Sequence, residues 1–184
     1  LSRTDWRDIQ LGLKALGFDP DGALDGIPAE ATRRALATWQ AREGKEVTGY
    51  VLREQRDTIV EDPSVQINVG KMYYDGHGVE QDNAEAARWF RKAADRGLAA
   101  AQNNLGAMYD NGRGVKRDDA EAVRWFRKAA DQGLAAAQAN LAIMYGNGRG
   151  VKRSDAEAVR WYRKAADQGD VTAQANLGAM YDNG

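Results

Sequence analysis

The chain has 184 residues, of which 43% are hydrophobic and 29% are charged, and its formal net charge is −1. The absence of cysteine excludes disulfides, cysteine-ligated metal sites and thiol catalysis, and the single histidine, His77, excludes most histidine triads and multi-histidine metal sites. The near-neutral charge argues against a nucleic-acid-binding protein, and no apolar run approaches the ~20 residues that cross a bilayer.

The first 63 residues are predicted to form three short helices. Apolar residues recur at helical spacing in residues 6–16, in residues from about 28 to 42, and in residues 51–59. This segment carries 9 basic and 12 acidic residues, a net charge of −3. Pro63 marks its end, because the residue before a proline disfavours the helical conformation.

Several short motifs in this segment carry a resemblance to a known family. They are Ile9-Gln10, Leu13, Leu16-Gly17-Phe18, Pro20, Leu24-Asp25-Gly26-Ile27, Thr32-Arg33, Ala35, Trp39-Gln40 and Thr48-Gly49. In this order they resemble the peptidoglycan-binding domain family that accompanies many bacterial cell-wall enzymes. The resemblance implies a non-catalytic three-helix module that holds a protein against the wall. By motif position, it implies a glycan-binding region formed by Asp25, Gly26, Trp39, Gln40, Thr48 and Tyr50.

The segment departs from the family pattern at Pro28 and Ala29, where an aromatic residue and a glycine are usual, and at Lys45, where an apolar residue is usual. These positions lie in or beside the loops that the resemblance assigns to glycan contact. Trp39 has two interpretations: a core residue, the more common role in so small a domain, or a platform for a sugar ring.

From residue 64 onward the sequence repeats with a period of 36 residues. Trp89, Trp125 and Trp161 are each 36 residues apart, and Gln102–Tyr109 returns as Gln138–Tyr145 and Gln174–Tyr181. A fixed period in this range is typical of a solenoid of stacked helical units.

Each unit is predicted to contain two helices. In the second unit, Leu105 and Tyr109 lie on one helical face, and the Gly112-x-Gly114 loop follows. Asp118 is then predicted to cap a second helix that ends before Gly133. The fold class is therefore all-α, a small three-helix bundle in residues 1–63 followed by a right-handed α-solenoid in residues 64–184. The solenoid holds three 36-residue repeats and the first helix of a fourth.

These repeats resemble the Sel-one-like family, a tetratricopeptide-related solenoid. The matching motifs are Ala101-x3-Leu105-Gly106-x2-Tyr109, Gly112-x-Gly114-Val115 and Ala122-x2-Trp125-x3-Ala129-Ala130-x2-Gly133. The resemblance implies a scaffold for protein–protein contacts.

Basic residues also recur with the 36-residue period, although residues 64–184 carry 17 basic and 15 acidic residues, a net of only +2. Stacking would align them in a ridge, which is either a solvated outer face or a docking surface for an acidic partner or an anionic polymer. The candidate residues are Arg113, Lys116, Arg124, Arg149, Lys152 and Arg160.

The sequence predicts an adaptor rather than an enzyme. No nucleophile, metal cluster or acid–base pair stands out, and no cofactor or metal is expected. The expected partners are peptidoglycan, bound by the first domain, and another protein, bound by the repeats, in the periplasm or cell envelope. The alternatives are a protein scaffold without glycan binding, for which the cytoplasm is the alternative location, and a regulatory or targeting arm of a larger enzyme.

Overall fold

The structure is a computed structural model that describes residues 1–18, 24, 26–27, 29–51 and 53–182. These residues form ten α-helices and no strand, which confirms the predicted all-α class. The contacts divide the chain into two compact units, Leu1–Asp82 and Asn83–Gly184. Each unit is described separately.

The first unit contains α1 (Arg3–Ala15), α2 (Glu30–Arg42), α3 (Arg53–Val60) and α4 (Pro63–Asp75). Helix α1 begins before the predicted residue 6 because Ser2 caps it. The Ser2 hydroxyl accepts the backbone N–H of Asp5, whose carboxylate accepts the N–H of Ser2 in return.

Helix α1 is the centre of the first unit and packs against α2, α3 and α4. Its side chains Ile9 and Leu13 are fully buried, as is Leu36 of α2. Helix α4 belongs to this unit because it packs against α1, with Val65 and Val69 fully buried and Arg7 of α1 donating to the hydroxyl of Tyr73 at 3.1 Å. The predicted boundary at residue 63 follows the sequence patterns, whereas the compact unit continues through α4 to Asp82.

The second unit is a succession of helices of nearly equal length. They are α5 (Asn83–Asp95), α6 (Ala99–Asn111), α7 (Asp119–Asp131), α8 (Ala135–Asn147), α9 (Asp155–Ala166) and α10 (Val171–Asp182). Each helix packs against the next in the chain, so that α6 contacts α5 and α7, and α8 contacts α7 and α9. Fully buried alanines such as Ala122 and Ala129 let neighbouring backbones approach closely.

The helix ends follow the sequence signals. Asp118 caps α7 by accepting the N–H groups of Ala120 and Glu121, both at 3.0 Å. Gly133 follows the end of α7 with φ 91°, as the cap prediction requires. The loop after α8 brings Gly150 against the first turn of α7, where a Cβ would lie 2.1 Å from the carbonyl oxygen of Asp119. This loop therefore joins one repeat to the repeat before it.

Candidate ligand-binding surfaces

A buried glutamine holds the loop before α2 from the inside. The Gln10 side chain donates to the carbonyl of Ile27 at 3.0 Å and to the hydroxyl of Thr32 at 3.2 Å. It also accepts the N–H of Gly26 at 3.0 Å. The backbone groups of Gly26 and Ile27 thus have hydrogen-bond partners inside the protein.

A second buried glutamine does the same for the loop after α2. Gln40 accepts the N–H groups of Thr48 and Gly49, both at 3.1 Å. It donates to the carbonyl of Tyr50 at 2.9 Å and to the side chain of Gln55 at 3.0 Å. Because Gln40 is fully buried, losing these bonds would leave polar groups without partners.

The structure divides the residues assigned to glycan contact into two groups. Gly26, Trp39 and Gln40 are buried, whereas Thr48 and Tyr50 are exposed, and Asp25 lies outside the described residues. The burial of Trp39 favours its interpretation as a core residue. Of the assigned residues that the structure describes, Thr48 and Tyr50 therefore provide the accessible surface.

Sequence reasoning did not assign Ile27 or Arg33 to this surface, although both belong to the matching motifs. Both are exposed, and the guanidinium of Arg33 lies 5.4 Å from the ring centre of Tyr50. The available signal was their place in the matching motifs, where Ile27 follows Gly26 and Arg33 follows Thr32.

In the second unit, the periodic tryptophans are packing residues with cations above their rings. The ring of Trp125 is buried, and its Nε1 donates to Glu121 at 3.1 Å. The Lys128 ammonium lies 4.2 Å from the ring centre and the Arg124 guanidinium lies 5.0 Å away. An arginine and a lysine lie over the rings of Trp89 and Trp161 in the same way, but the indole N–H groups of these two residues have no hydrogen-bond partner within the residues that the structure describes.

One residue of the predicted ridge, Arg149, is a link between repeats. It donates to both carboxylate oxygens of Asp119, at 3.2 and 2.9 Å, and also pairs with Asp110. Arg117 donates to Asp119 as well, at 3.1 Å. The hydrogen bonds from Arg149 and Arg117 lower the pKa of Asp119 to about 2, and those from Asp119 and Asp110 raise the pKa of Arg149.

The other ridge residues differ in their surroundings. Lys116 and Lys152 are exposed, whereas Arg113 is half-buried. Arg124 pairs with Glu121 at 3.2 Å and Arg160 pairs with Glu157 at 3.3 Å, and both arginine side chains stay more than half exposed. Lys116 and Glu121 line the same surface cavity, of about 470 Å³.

Uncharged amide side chains also connect helices within and between repeats. Gln132, just after α7, donates to Gln102 of α6 at 2.7 Å, and Gln168, after α9, repeats this contact with Gln138 of α8 at 2.8 Å. Each glutamine pair thus joins the two helices of one repeat. Asn140 of α8 donates to Asn103 of α6 at 3.0 Å and so joins one repeat to the repeat before it.

The described part of the chain holds no group of three His, Cys, Asp or Glu side chains placed for a metal ion. His77 is exposed in the loop that follows α4. No helix in that part of the chain is long and apolar enough to cross a membrane.

Comparison with protein families gives two matches. The Sel1 repeat family matches residues 63–98, 99–134, 135–170 and 171–184, and the peptidoglycan binding domain family matches residues 2–57. Both resemblances inferred from the sequence are thereby confirmed.

Solved structures agree with these matches. The chain is similar to a Sel1 repeat protein from Oxalobacter formigenes, with 39% identity over 70% of this chain and 99% of that chain, and a TM-score of 0.62. It is also similar to c5321, a protective antigen present in uropathogenic Escherichia coli strains that displays an SLR fold, with 34% identity and a TM-score of 0.68. That match covers 100% of this chain but only 37% of the antigen. A comparison with curated proteins finds no match.

Proposed function

Because the chain belongs to the Sel1 repeat family and carries a peptidoglycan binding domain ahead of the repeats, we propose that it is a non-catalytic adaptor of the bacterial cell envelope. In this proposal the first unit attaches to peptidoglycan and the repeats hold a protein partner. The observation that carries the proposal is the joining of these two kinds of module in one chain.

The roles of the polar side chains in the repeats support an adaptor. Asp118 and Ser154 cap helices, and Glu121 and Glu157 pair with neighbouring arginines. Arg149 is occupied by two carboxylates of the preceding repeat. The polar groups that could do chemistry thus have structural tasks.

The proposed docking surface for the protein partner is the exposed part of the basic ridge. Lys116 and Lys152 occupy equivalent loop positions 36 residues apart, and Arg124 and Arg160 extend the row. The ion pairs of Arg124 with Glu121 and of Arg160 with Glu157 lie at the surface. Pairs of this kind typically contribute less than about 1 kcal/mol, so an acidic partner can replace the glutamates. Arg113 and Arg149 are half-buried and are not part of this docking surface.

The wall-binding half of the proposal is tested by sedimentation with purified peptidoglycan sacculi. The full chain is expected to pellet with the sacculi and to stay in solution without them. Recovery in the supernatant in both cases would leave a protein scaffold without glycan binding as the better description. Fractionation of cells that produce the natural protein tests the location, which is expected to be the periplasm or envelope.

The docking half is tested with charge reversal at Lys116 and Lys152. A K116E/K152E double variant is expected to lose the proteins that the wild type captures, while a variant of the exposed Lys71 in the first unit keeps them. If the wild type, the double variant and the Lys71 variant capture the same proteins equally well, the ridge is not the docking surface. A catalytic domain in the same natural protein would favour the third possibility, a regulatory or targeting arm of an enzyme.

A further inference from the structure

Three large hydrophobic side chains of the first unit are exposed in the two loops that the buried glutamines hold. Ile27 is 51% exposed, Val47 is 57% exposed and Tyr50 is 61% exposed. Gln10 holds the backbone at Gly26 and Ile27, and Gln40 holds it from Thr48 to Tyr50. Large apolar side chains that stay exposed beside such anchored backbone are typical of a binding surface.

Both loops meet the first turn of α2. Gln10, which holds the carbonyl of Ile27, also donates to Thr32 in that turn. The next residue is Arg33, whose carbonyl oxygen would lie 3.5 Å from a Cβ at Gly49. Ile27 is therefore tied through Gln10 to Thr32, and Tyr50 lies next to Arg33, the residue that follows Thr32.

Arg33 gives this surface a positive charge. Its side chain is exposed and its guanidinium lies 5.4 Å from the ring centre of Tyr50. Among the described residues no carboxylate forms an ion pair with it, whereas the neighbouring Arg34 lies 3.1 Å from Glu30. A guanidinium of this kind can bind a ligand carboxylate through two parallel hydrogen bonds.

Resting on the proposed wall binding, we propose that Ile27, Arg33 and Tyr50 bind the stem peptide of peptidoglycan. Arg33 pairs with a carboxylate of the stem, while Ile27 and Tyr50 contact its alanine methyl groups. In peptidoglycan it is the stem peptide that joins free carboxylates to small apolar groups, whereas the sugars of the strand present hydroxyl and acetamido groups. The exposed charge of Arg33 thus fits the stem, which carries the carboxylates, better than the uncharged sugars.

The test uses the full chain and three soluble probes in calorimetric titrations. The probes are a disaccharide tetrapeptide with free stem carboxylates, the same compound with those carboxylates amidated, and chitotetraose. The free carboxylate form is expected to bind about tenfold more tightly than the amidated form, and chitotetraose is expected not to bind. Arg33→Gln and Tyr50→Ala are each expected to weaken binding of the free form about tenfold.

The repeats provide a matched control, because Arg163 and Tyr181 form a similar surface pair in which Tyr181 is 56% exposed. Arg163→Gln and Tyr181→Ala are expected to bind as the wild type does. Thermal melts establish that each variant is folded, as expected for substitutions of exposed side chains.

Each result decides between the two proposals. Suppose that the wild type pellets with sacculi while Arg33→Gln and Tyr50→Ala bind the tetrapeptide as tightly as the wild type does. In that case the assignment of the ligand to this surface is wrong, and the wall-binding proposal stands. Equal binding of the amidated form would overturn the pairing of Arg33 with a stem carboxylate. Equal binding of chitotetraose would overturn the stem peptide as the ligand. If the wild type does not pellet with sacculi, the wall-binding proposal itself fails.

Discussion

Arg149 of the third repeat donates from Nε and Nη2 to the two carboxylate oxygens of Asp119 in the second repeat, at 3.2 and 2.9 Å. The two residues are 30 positions apart in the chain, so their contact joins neighbouring repeats. Because solenoid repeats contact only their neighbours, each such interface contributes to the stability of the whole array.

The first prediction concerns Asp119→Asn. Its carboxylate has a pKa lowered to about 2 by hydrogen bonds from Arg149 and then Arg117, below the ordinary value near 4. The unfolded chain therefore binds the proton more readily, and the stabilisation is present above about pH 4 and is lost as the pH falls toward 2. The variant is expected to be less stable by about 1 kcal/mol at pH 7, and urea unfolding should show this difference shrinking between pH 4 and 2.

Asp155→Asn is the matched control for this prediction. Asp155 stands 36 residues after Asp119 and pairs with the nearby Arg153 at 3.2 Å, and its side chain is 59% exposed. Its substitution is expected to change the stability much less. If both variants lose the same stability at pH 7, the contact between repeats contributes nothing beyond the local pair.

The second prediction concerns Trp125→Ala. The indole is buried, donates to Glu121 and lies beneath Lys128 and Arg124. Its removal therefore leaves a large cavity and takes one hydrogen bond from Glu121. The free energy of unfolding is expected to fall by about 3–5 kcal/mol in denaturant titrations followed by far-UV circular dichroism. An exposed aromatic such as Tyr181 provides the comparison, and its substitution by alanine should cost far less. A loss below about 1 kcal/mol at Trp125 would contradict its role in the core.

Periodicity made the repeats predictable because the same side chains fill the same positions in each one. The basic ridge shows the limit of that reasoning, because Arg113 and Arg149 occupy equivalent positions in the sequence but have different surroundings. Arg149 forms ion pairs with Asp119 and Asp110. The residues that correspond to these aspartates one repeat earlier are Asn83 and Tyr74, which carry no carboxylate. An arginine can be assigned to an interface only when the residues of the facing repeat are known.

The first unit shows a similar limit at the candidate site. Glutamines are mostly exposed in proteins, so nothing in the residue type alone predicted that Gln10 and Gln40 are buried. Their roles depend on loop carbonyls and N–H groups whose positions follow from the fold. The motifs located the loops correctly, but only the structure separates Gln40, which supports a loop, from Tyr50, which faces solvent.

The third prediction compares two glycines with positive φ. A Cβ at Gly150 would lie 2.1 Å from the Asp119 carbonyl oxygen, whereas a Cβ at Gly133 would meet no atom within 4 Å. Gly133→Ala is expected to cost about 1 kcal/mol from backbone conformation alone. Gly150→Ala has the same backbone cost and also pushes the loop away from α7. It should therefore lower the melting temperature more than Gly133→Ala does. Equal melting temperatures for the two variants would show that the loop yields without loss.

The last prediction concerns Gln40→Ala, which removes the inner support of residues 48–50. The N–H groups of Thr48 and Gly49 and the carbonyl of Tyr50 would lose their partner, and unfolding of the first unit should become easier by about 2–3 kcal/mol. Hydrogen exchange at the amides of Thr48 and Gly49 should accelerate more than exchange in the repeats. Asn68→Ala is the control, because exposed Asn68 makes only a 3.5 Å contact with the carbonyl of Ala15. If exchange at Thr48 and Gly49 is as slow in Gln40→Ala as in this control, the loop is held by contacts other than Gln40.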